Sequence, residues 1–391
     1  MRYVPRAIER ELRRAAKGFP AVILTGPRRS GKTTLLRRLF PDVAYRLLED
    51  PDTLERVRSD PRSFLAELGA PAILDEIQNA PELFNYVRSE IDRAPSRRGR
   101  FLLTGSQEAS LMRGVTESMA GRAAVLHLLP FSVSESSKVS LLAGGFPEAV
   151  ARPGLRSLWF ASYVQTYLER DVRSMTAVRD LATFRRFIGL LASRTGQILN
   201  KTDLAAPLGL SIPTITQWLG VLETTGQVVI VPPFFENFGK RLIKSPKVFV
   251  ADSGLACHLL GIESEHMLRR SPFLGPIFEG FVAAEISKLQ AAAGRRRELY
   301  YFRDQQGLEV DLLVPAGARG LLLLESKASA TLRPAEAEPL LRLSRAIRRH
   351  KTRAVVVHRP LKGTPPLSAL RAGVSAISVY GLAKLLAPGR G

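Results

Sequence analysis

The sequence predicts an α/β protein built from several domains. With 391 residues the chain is too long for one small domain, and two or three domains are expected. Near the N-terminus, an apolar run at 21–25 leads into a glycine-bounded loop and a helical pattern at 34–39. In the last third, strand-like runs at 307–314 and 321–327 flank a turn. These patterns indicate one α/β layer at the start of the chain and another at its end.

The composition is that of an ordinary globular protein, with 45% hydrophobic and 24% charged residues. No apolar run approaches the roughly 18 residues that a membrane helix needs, so no membrane partner is expected. Residues 1–17 are basic and amphipathic and lack the apolar core of a signal peptide. These features predict a cytoplasmic location. The single cysteine, Cys257, excludes an intrachain disulfide and a thiolate metal cluster.

The loop after the first strand has the pattern of a phosphate-binding loop. Residues 26–33 read Gly-Pro-Arg-Arg-Ser-Gly-Lys-Thr and match G-x-x-x-x-G-K-[ST] between a strand and a helix. Gly26 and Gly31 permit a tight turn whose backbone N–H groups point at a phosphate. Lys32 would place its charge between the β- and γ-phosphates of ATP, and the Thr33 hydroxyl would bind Mg²⁺. The residues expected to bind ATP are Gly26, Pro27, Arg28, Ser30, Gly31, Lys32, Thr33 and Thr34.

A second apolar run, at 71–76, ends in two carboxylates, Asp75 and Glu76. It is typical of a buried parallel strand, and ligands of open α/β sheets bind beyond the carboxyl ends of such strands. Asp75 is therefore expected to bind Mg²⁺ together with Thr33, and Glu76 to orient or deprotonate the attacking water. The alternative is that the two acids cap the helix that begins near Ile77.

Two further residues are candidates for acting on the γ-phosphate. The next strand, at 100–104, ends in a polar segment, so Ser106 or Thr104 could contact the γ-phosphate or the water, and the sequence does not decide between them. Arg122 precedes the apolar strand at 123–128, a position from which an arginine reaches the neighbouring subunit's nucleotide in ring ATPases. The alternative for Arg122 is a salt bridge or a helix-end contact. The predicted catalytic residues are Lys32, Glu76, Ser106 and Arg122.

Four segments together resemble one bacterial and archaeal AAA+ family whose members carry a C-terminal domain of formerly unknown function. They are Gly-Pro-Arg-x-x-Gly-Lys-Thr-Thr from 26, Leu-Asp-Glu-Ile-Gln at 74–78, Leu-Leu-Thr-Gly-Ser at 102–106 and Gly-Arg…Leu-Leu-Pro-Phe-Ser at 121–132. The segments at 144–148 and 167–172 are similar to later signatures of that family. The resemblance implies an ATPase that uses ATP and Mg²⁺ and assembles as a homo-oligomer, with a hexamer-like ring expected.

The middle of the chain predicts a helical lid followed by a winged helix. Helical patterning at 155–193 is followed by helices at 201–208 and 211–224, with Ser211 as an N-cap, and then by strands at 228–231 and 247–250. The second of those helices has no Arg or Lys, so backbone contacts from the loop between the strands are expected. The alternatives are a structural connector and sequence-specific readout. The predicted DNA-binding residues are Lys240, Arg241, Lys244 and Lys247.

The last third predicts a second set of acids around a β-hairpin. Alternation along the second strand puts Glu325 and Lys327 on one face, and Asp311 can lie beside them on the first strand. With Glu279 on the preceding helix, the set resembles the PD-(D/E)XK nuclease pattern, so a restriction-endonuclease-like domain and a second divalent metal, Mg²⁺ or Mn²⁺, are expected. The alternatives are an inactive DNA-binding or oligomerisation domain and, for Glu325 and Lys327, a simple surface ion pair.

The charge of +21 favours a polyanionic partner, and DNA that is branched or broken is the expected substrate. The predicted domains are an ATPase core (1–135), lid and linker helices (136–182), a winged helix (183–262) and a nuclease-like domain (270–391). Two other functions remain open. One is an ATP-dependent regulatory switch whose C-terminal domain binds protein, and the other is an antitoxin-like transcriptional regulator.

Overall fold

The computed structural model describes residues 3–106, 118–168, 181–234, 243–359 and 367–387. The chain forms two compact units. The first contains Met1–Phe131 with two short later segments, Thr224–Gly226 and Ala291–Arg296. The second contains the remainder of the chain. The first unit therefore ends close to the predicted end of the ATPase core at 135.

The first unit alternates helices and strands. Its helices are α1 (Glu9–Gly18), α2 (Lys32–Leu39), α3 (Pro51–Ser59), α4 (Pro61–Leu68) and α5 (Leu83–Arg93). Its strands are β1 (Ala21–Thr25), β2 (Ala44–Leu47), β3 (Ala72–Asp75), β4 (Phe101–Thr104) and β5 (Ala123–His127). The strands predicted at 21–25, 71–76, 100–104 and 123–128 are all present, each within two residues of its predicted ends.

The five strands form one parallel sheet in the order β2-β3-β4-β1-β5. Alternate side chains along β1 enter different cores. Ile23 packs with the helices α3, α4 and α5, and Leu24 packs with α1 and α2 on the other face. β4 lies between β3 and β1. The carboxyl ends of these three strands therefore meet at one edge of the sheet, where Thr25, Asp75 and Thr104 are the last strand residues.

The second unit begins with a helical region and a small sheet. Its helices are α6 (Pro147–Ala151), α7 (Arg156–Tyr163), α8 (Leu181–Ser193), α9 (Lys201–Ala205), α10 (Ile212–Thr224), α11 (Ser253–Leu259) and α12 (Glu265–Arg270). Strands β6 (Gln197–Ile198), β7 (Val228–Val231) and β8 (Lys247–Val250) form an antiparallel sheet in the order β6-β8-β7.

Local signals in this region act as the sequence predicts. The Ser211 hydroxyl accepts a hydrogen bond from the Thr214 N–H (3.2 Å), which makes Ser211 the N-terminal cap of α10. Gly209, with φ +64°, makes the turn before that helix, a backbone conformation that glycine adopts without strain. The segment at 167–172 lies largely outside the described residues, as do Lys240 and Arg241.

The rest of the second unit is a mixed α/β layer. Its helices are α13 (Leu274–Ala292), α14 (Glu338–Ala346) and α15 (Leu382–Leu386), and its strands are β9 (Tyr300–Arg303), β10 (Glu309–Ala316), β11 (Gly320–Lys327), β12 (Lys351–His358), β13 (Leu367–Arg371) and β14 (Val374–Ser378). The sheet order is β13-β14-β12-β11-β10-β9. β10 and β11 form the predicted hairpin, with Leu312 opposite Leu324. Among the helices described, none is long and apolar enough to cross a membrane.

Candidate functional site

The loop between β1 and α2 is shaped by two glycines. Gly26 has φ +143°, and a Cβ on it would collide with the carbonyl oxygen of Leu128. Gly31 has φ +97° and stands immediately before α2. The Ser30 hydroxyl is buried and has no hydrogen-bond partner among the described residues. A tight loop at a helix N-terminus that contains a buried hydroxyl without a hydrogen-bond partner is suited to binding a phosphate group.

Lys32 points back into this loop. Its side chain is buried, and Nζ donates hydrogen bonds to the carbonyl oxygens of Gly26 (3.1 Å) and Pro27 (3.0 Å). These contacts hold the ammonium inside the loop curve, where the phosphates of a nucleotide would lie.

Asp75 is the centre of a hydroxyl network. The Thr33 hydroxyl donates to Asp75 Oδ2 (2.8 Å), and the Tyr45 hydroxyl donates to the same atom (2.8 Å). The Thr104 hydroxyl donates to Asp75 Oδ1. Burial and the hydrogen bond to Asp75 raise the pKa of Tyr45, so the phenol stays a proton donor. Thr33 and Asp75 thus bring adjacent oxygen ligands to the sheet edge, which is the ligand type that Mg²⁺ prefers.

Glu76 stands beside this network in an unusual backbone conformation. Its φ and ψ are 59° and 49°, in the left-handed region that non-glycine residues rarely adopt. Its N–H donates to the Thr104 hydroxyl (3.1 Å), and its carboxylate accepts a hydrogen bond from the Gln78 amide. Glu76 makes no side-chain capping bond to the short 3₁₀ helix that follows, Ile77–Asn79. The alternative that Glu76 caps a helix is therefore not observed.

The structure favours Thr104 over Ser106 as the polar residue at the end of β4. Thr104 is fully buried and its hydroxyl contacts both Asp75 and the backbone of Glu76. Ser106 is also buried, two residues beyond the strand. The prediction for Ser106 remains a prediction.

Arg122 lies at the opposite end of the sheet from these groups. It precedes β5, whose 5 residues span roughly 16 Å before the edge where the strand ends meet. Its guanidinium makes a bidentate ion pair with Asp92, at 2.6 and 3.0 Å, on the surface. The hydrogen bond from Arg122 lowers the pKa of the Asp92 carboxyl. Arg122 therefore cannot reach the nucleotide site of its own chain.

Two residues of the first unit have roles that sequence reasoning missed. Tyr45, in β2, supplies a donor to Asp75. Arg6, just before α1, is buried and donates to the carbonyl oxygens of Ser30 (2.9 Å) and Leu129 (2.6 Å). Its guanidinium carbon lies 4.7 Å from the centre of the Phe131 ring. Neither residue belongs to a motif, and an arginine in a basic N-terminal segment gives no sequence signal of burial.

The C-terminal acids do come together, around a lysine from another element. Lys247, in β8, donates to Glu279 Oε1 (2.8 Å) and is 2.6 Å from Glu309 Oε1 and 3.9 Å from Asp311 Oδ1. Burial and the charge of Asp311 raise the pKa of Glu279 to about 8. Burial lowers the pKa of Lys247, but the attraction of Glu279, Asp311 and Glu309 outweighs that effect and leaves it above its ordinary value.

The prediction that Lys247 contacts DNA is wrong, because its ammonium is buried and paired with carboxylates. Lys244 is exposed, as a phosphate contact requires. Lys240 and Arg241 lie outside the described residues.

The other part of the predicted nuclease set is a close ion pair. Lys327 Nζ is 2.7 Å from Glu325 Oε1, and the Ser326 N–H donates to Asp311 Oδ2 (2.8 Å). Burial and the charge of Asp311 raise the pKa of Glu325 to about 7. Within the described ranges, no group of three or more His, Cys, Asp or Glu side chains is arranged to hold a metal ion. The predicted second metal is therefore not supported by the structure, in which Lys247 and Lys327 lie beside Asp311 and Glu325.

Comparison with known proteins identifies the domain family of the first unit. An AAA domain matches residues 18–137, and two domains of unknown function, DUF8612 and DUF4143, match 135–266 and 274–366. The predicted nucleotide-site residues from Gly26 to Ser106 fall within the AAA match, and so does Arg122. The first unit is an AAA-type P-loop ATPase domain.

Two uncharacterized mycobacterial proteins match most of the chain. They are Rv2008c of Mycobacterium tuberculosis and Mb2031c of Mycobacterium bovis, each 36% identical over 315 residues, which is 79% of this chain and 70% of the relative. The chain belongs to the family of these two proteins. Among solved structures, the Walker-type ATPase paby2304 of Pyrococcus abyssi is similar, with 17% identity, a TM-score of 0.41 and coverage of 64% of this chain and 94% of that one. A likeness this loose supports no conclusion about assembly or substrate.

Proposed function

We propose that the chain hydrolyses ATP with Mg²⁺ and uses the energy to bind and remodel DNA as a homo-oligomer. The observation that carries the proposal is the network at one sheet edge, where Thr33, Tyr45 and Thr104 donate to Asp75 next to Glu76. It sets phosphate-binding, metal-binding and water-orienting groups side by side.

The residues of this chain divide the work of hydrolysis. Lys32 would exchange the Gly26 and Pro27 carbonyls for phosphate oxygens and stabilise the charge that builds up on them. Thr33 and Asp75 would hold Mg²⁺, which neutralises phosphate charge when bound. Thr33 can donate its proton to Asp75 while its oxygen lone pair faces the ion. Glu76 would accept a proton from the attacking water, with its position fixed by Gln78 and by the Thr104 contact to its N–H.

The oligomer in this proposal depends on Arg122, which lies too far from the site of its own chain to act there. An exposed arginine at the far end of the sheet can act on a γ-phosphate only if it reaches a neighbouring subunit, as in a hexamer-like ring. The ion pair with Asp92 would have to open for this contact. Opening the pair should cost little free energy, because ion pairs exposed to solvent contribute little to stability.

DNA is the proposed partner for two reasons: the net charge of the chain is +21, and the small domain that contains β6, β7 and β8 resembles a winged helix. The order of elements from α8 to β8 is helix, strand, helix, helix, strand, strand, which supports the winged-helix prediction. The exposed residues of α10 include Thr216 and Gln217 but no cation. Contacts to phosphates from the loop that contains Lys244 therefore fit better than base reading. We infer that the C-terminal layer has a nuclease-like arrangement that holds DNA without cutting it.

The ATPase rate with and without DNA tests this proposal. Single-stranded, duplex and four-way DNA should each be added to the purified protein, with Lys32→Ala as the control for contaminating ATPases. A remodelling protein should hydrolyse ATP several-fold faster with its preferred DNA. If DNA leaves the rate unchanged and binds only at very low salt, the DNA part of the proposal fails.

A regulatory switch is the second candidate, and the absence of arginine and lysine from α10 favours it. A switch of this kind would hydrolyse ATP slowly and be indifferent to DNA. The related alternative, an antitoxin-like repressor, would bind one DNA sequence far more tightly than others. The same ATPase measurement, extended by a competition between DNA sequences, separates these outcomes.

A further inference from the structure

Three carboxylates converge on one buried ammonium in the second unit. Glu279, Glu309 and Asp311 come from α13 and β10, and Lys247 comes from β8. The ammonium is within 4 Å of an oxygen from each of the three acids, at 2.8, 2.6 and 3.9 Å. The Tyr301 ring lies on another side, with its centre 5.5 Å from Nζ. The lysine side chain is only 3% exposed.

This arrangement has the form of a cation site with the cation built into the chain. Carboxylates repel one another, so their convergence in a buried place requires a positive charge or a shared proton between them. Carboxylate oxygens are also the ligand type that divalent metals such as Mg²⁺ prefer. Here an ammonium, with three N–H donors and no acceptor, takes that central position. Glu309 is further held by Arg303 at 3.4 Å, so a second cation of the chain also stands at the cluster.

Asp311 links this cluster to the predicted nuclease set. Its Oδ2 accepts from the Ser326 N–H, and its Oδ1 faces Lys247. The neighbouring Glu325 accepts a hydrogen bond from Lys327 at Oε1. Its Oε2 is buried without a hydrogen-bond partner in the part of the chain described. A divalent ion placed between Asp311 and Glu325 would therefore have an ammonium on each side. Repulsion between like charges at such distances is strong in a buried place.

We propose that Lys247 is a tethered cation that takes the place of a divalent metal and keeps Mg²⁺ and Mn²⁺ from binding at Asp311. The proposal concerns the C-terminal layer and is independent of ATP hydrolysis at the first unit. Its consequence is specific: the acids alone are competent to bind a divalent ion, and one lysine prevents it.

Mn²⁺ is the probe, with the unbound ion followed by its electron paramagnetic resonance signal in nucleotide-free, full-length protein. All proteins carry Asp75→Asn, so that the predicted metal site of the first unit does not contribute. Lys247→Met removes the ammonium and keeps an unbranched side chain. Lys288→Met is the matched control, since Lys288 is also buried and pairs with an acid, Glu285, at 2.8 Å.

The parent protein and Lys288→Met should show no Mn²⁺ site that depends on Asp311. Lys247→Met should gain one site per chain, at least tenfold tighter than any in the parent, and Asp311→Asn should remove it again. Added Mn²⁺ should also raise the melting temperature of Lys247→Met alone, because a ligand stabilises the folded state that binds it.

Two results would overturn the proposal. One is a folded Lys247→Met protein that gains no Mn²⁺ site. The other is a parent protein that already binds Mn²⁺ and loses it with Asp311→Asn. If Lys247→Met does not fold, Lys247→Gln, which also removes the charge, takes its place, and a loss of Mn²⁺ binding from the parent with Asp311→Asn still contradicts the proposal. Lys32→Ala, which acts on the ATPase, should change none of these results.

Discussion

Asp75 accepts hydrogen bonds from Thr33, Tyr45 and Thr104, which come from α2, β2 and β4. A carboxylate that is held by three hydroxyl groups has a fixed orientation before any ligand arrives. Preorganised polar groups stabilise a transition state most where charge develops during the reaction, because they need not reorient as the charge forms. Each of these hydroxyl groups is therefore expected to matter more for turnover than for nucleotide affinity.

Thr104→Val and Ser106→Ala form a direct comparison between the two candidates after β4. Thr104→Val keeps the size of the side chain and removes the donor to Asp75 and the acceptor for the Glu76 N–H. It should lower kcat on the order of 10²-fold, the effect typical of losing one preorganised donor. Ser106→Ala should have the smaller effect. Steady-state ATPase rates of the two variants check this, and the reverse order would restore Ser106 as the residue that acts on the γ-phosphate.

The way in which α1 is joined to the phosphate loop shows how whole elements support the site. Arg6, at the start of this helical segment, binds a carbonyl of the loop at Ser30 and a carbonyl after β5 at Leu129. The contact spans 123 residues of sequence between Arg6 and Leu129. A single side chain thus ties the N-terminal segment both to the nucleotide loop and to the segment that follows β5.

Arg6→Met should weaken this connection. Methionine can still pack on Phe131, but two carbonyls lose a charged donor, each worth about 1.5–3 kcal/mol. The unfolding free energy of the first unit should fall by roughly 3–6 kcal/mol if both bonds are lost, and ATP should bind more weakly. Arg10→Met, at an exposed position on α1, is the control and should change stability by less than about 0.5 kcal/mol. Denaturant unfolding and nucleotide titration measure both, and equal stability of the two variants would contradict the assigned role.

Strands of the first unit were predictable because buried parallel strands are continuous apolar runs, as at 21–25 and 101–104. Asp75 and Glu76 were predictable because they end such a run. Arg6, Tyr45 and the burial of Lys247 were not, since each depends on partners far away in the sequence. The distribution of charged residues along the sequence indicates the overall charge of the surface. It cannot show which lysine or arginine is buried among acids from other elements.

The molecule as a whole consists of two compact units and carries a net charge of +21. Its nucleotide loop and its proposed arginine finger lie at opposite ends of one parallel sheet. In an oligomer, this separation would favour a head-to-tail arrangement, because each subunit would present its nucleotide loop on one side and Arg122 on the other. Under the proposed function, such a site would work only between subunits.

Mixing two inactive variants tests whether sites are shared. Arg122→Ala should bind ATP normally and turn over roughly 10²-fold or more slowly, and Lys32→Ala should fail to bind or hydrolyse ATP. A mixture should recover part of the activity, because an intact loop of one subunit can meet an intact Arg122 of the other. ATPase assays over a range of mixing ratios measure this recovery. A monomer with full activity, or a mixture no more active than its components, would rule out the shared site.

Release of phosphate from the Glu76→Gln variant tests the assignment of the nucleotide site most directly. The amide keeps the size of the side chain but cannot accept a proton from water, whereas Lys32, Thr33 and Asp75 remain. The variant should bind ATP with near-normal affinity in the presence of Mg²⁺ and release almost no phosphate over many wild-type turnover times. Nucleotide affinity and phosphate release, measured on the same sample, give both quantities. Phosphate release at the wild-type rate would show that Glu76 does not activate the water and that the site at this edge of the sheet is wrongly assigned.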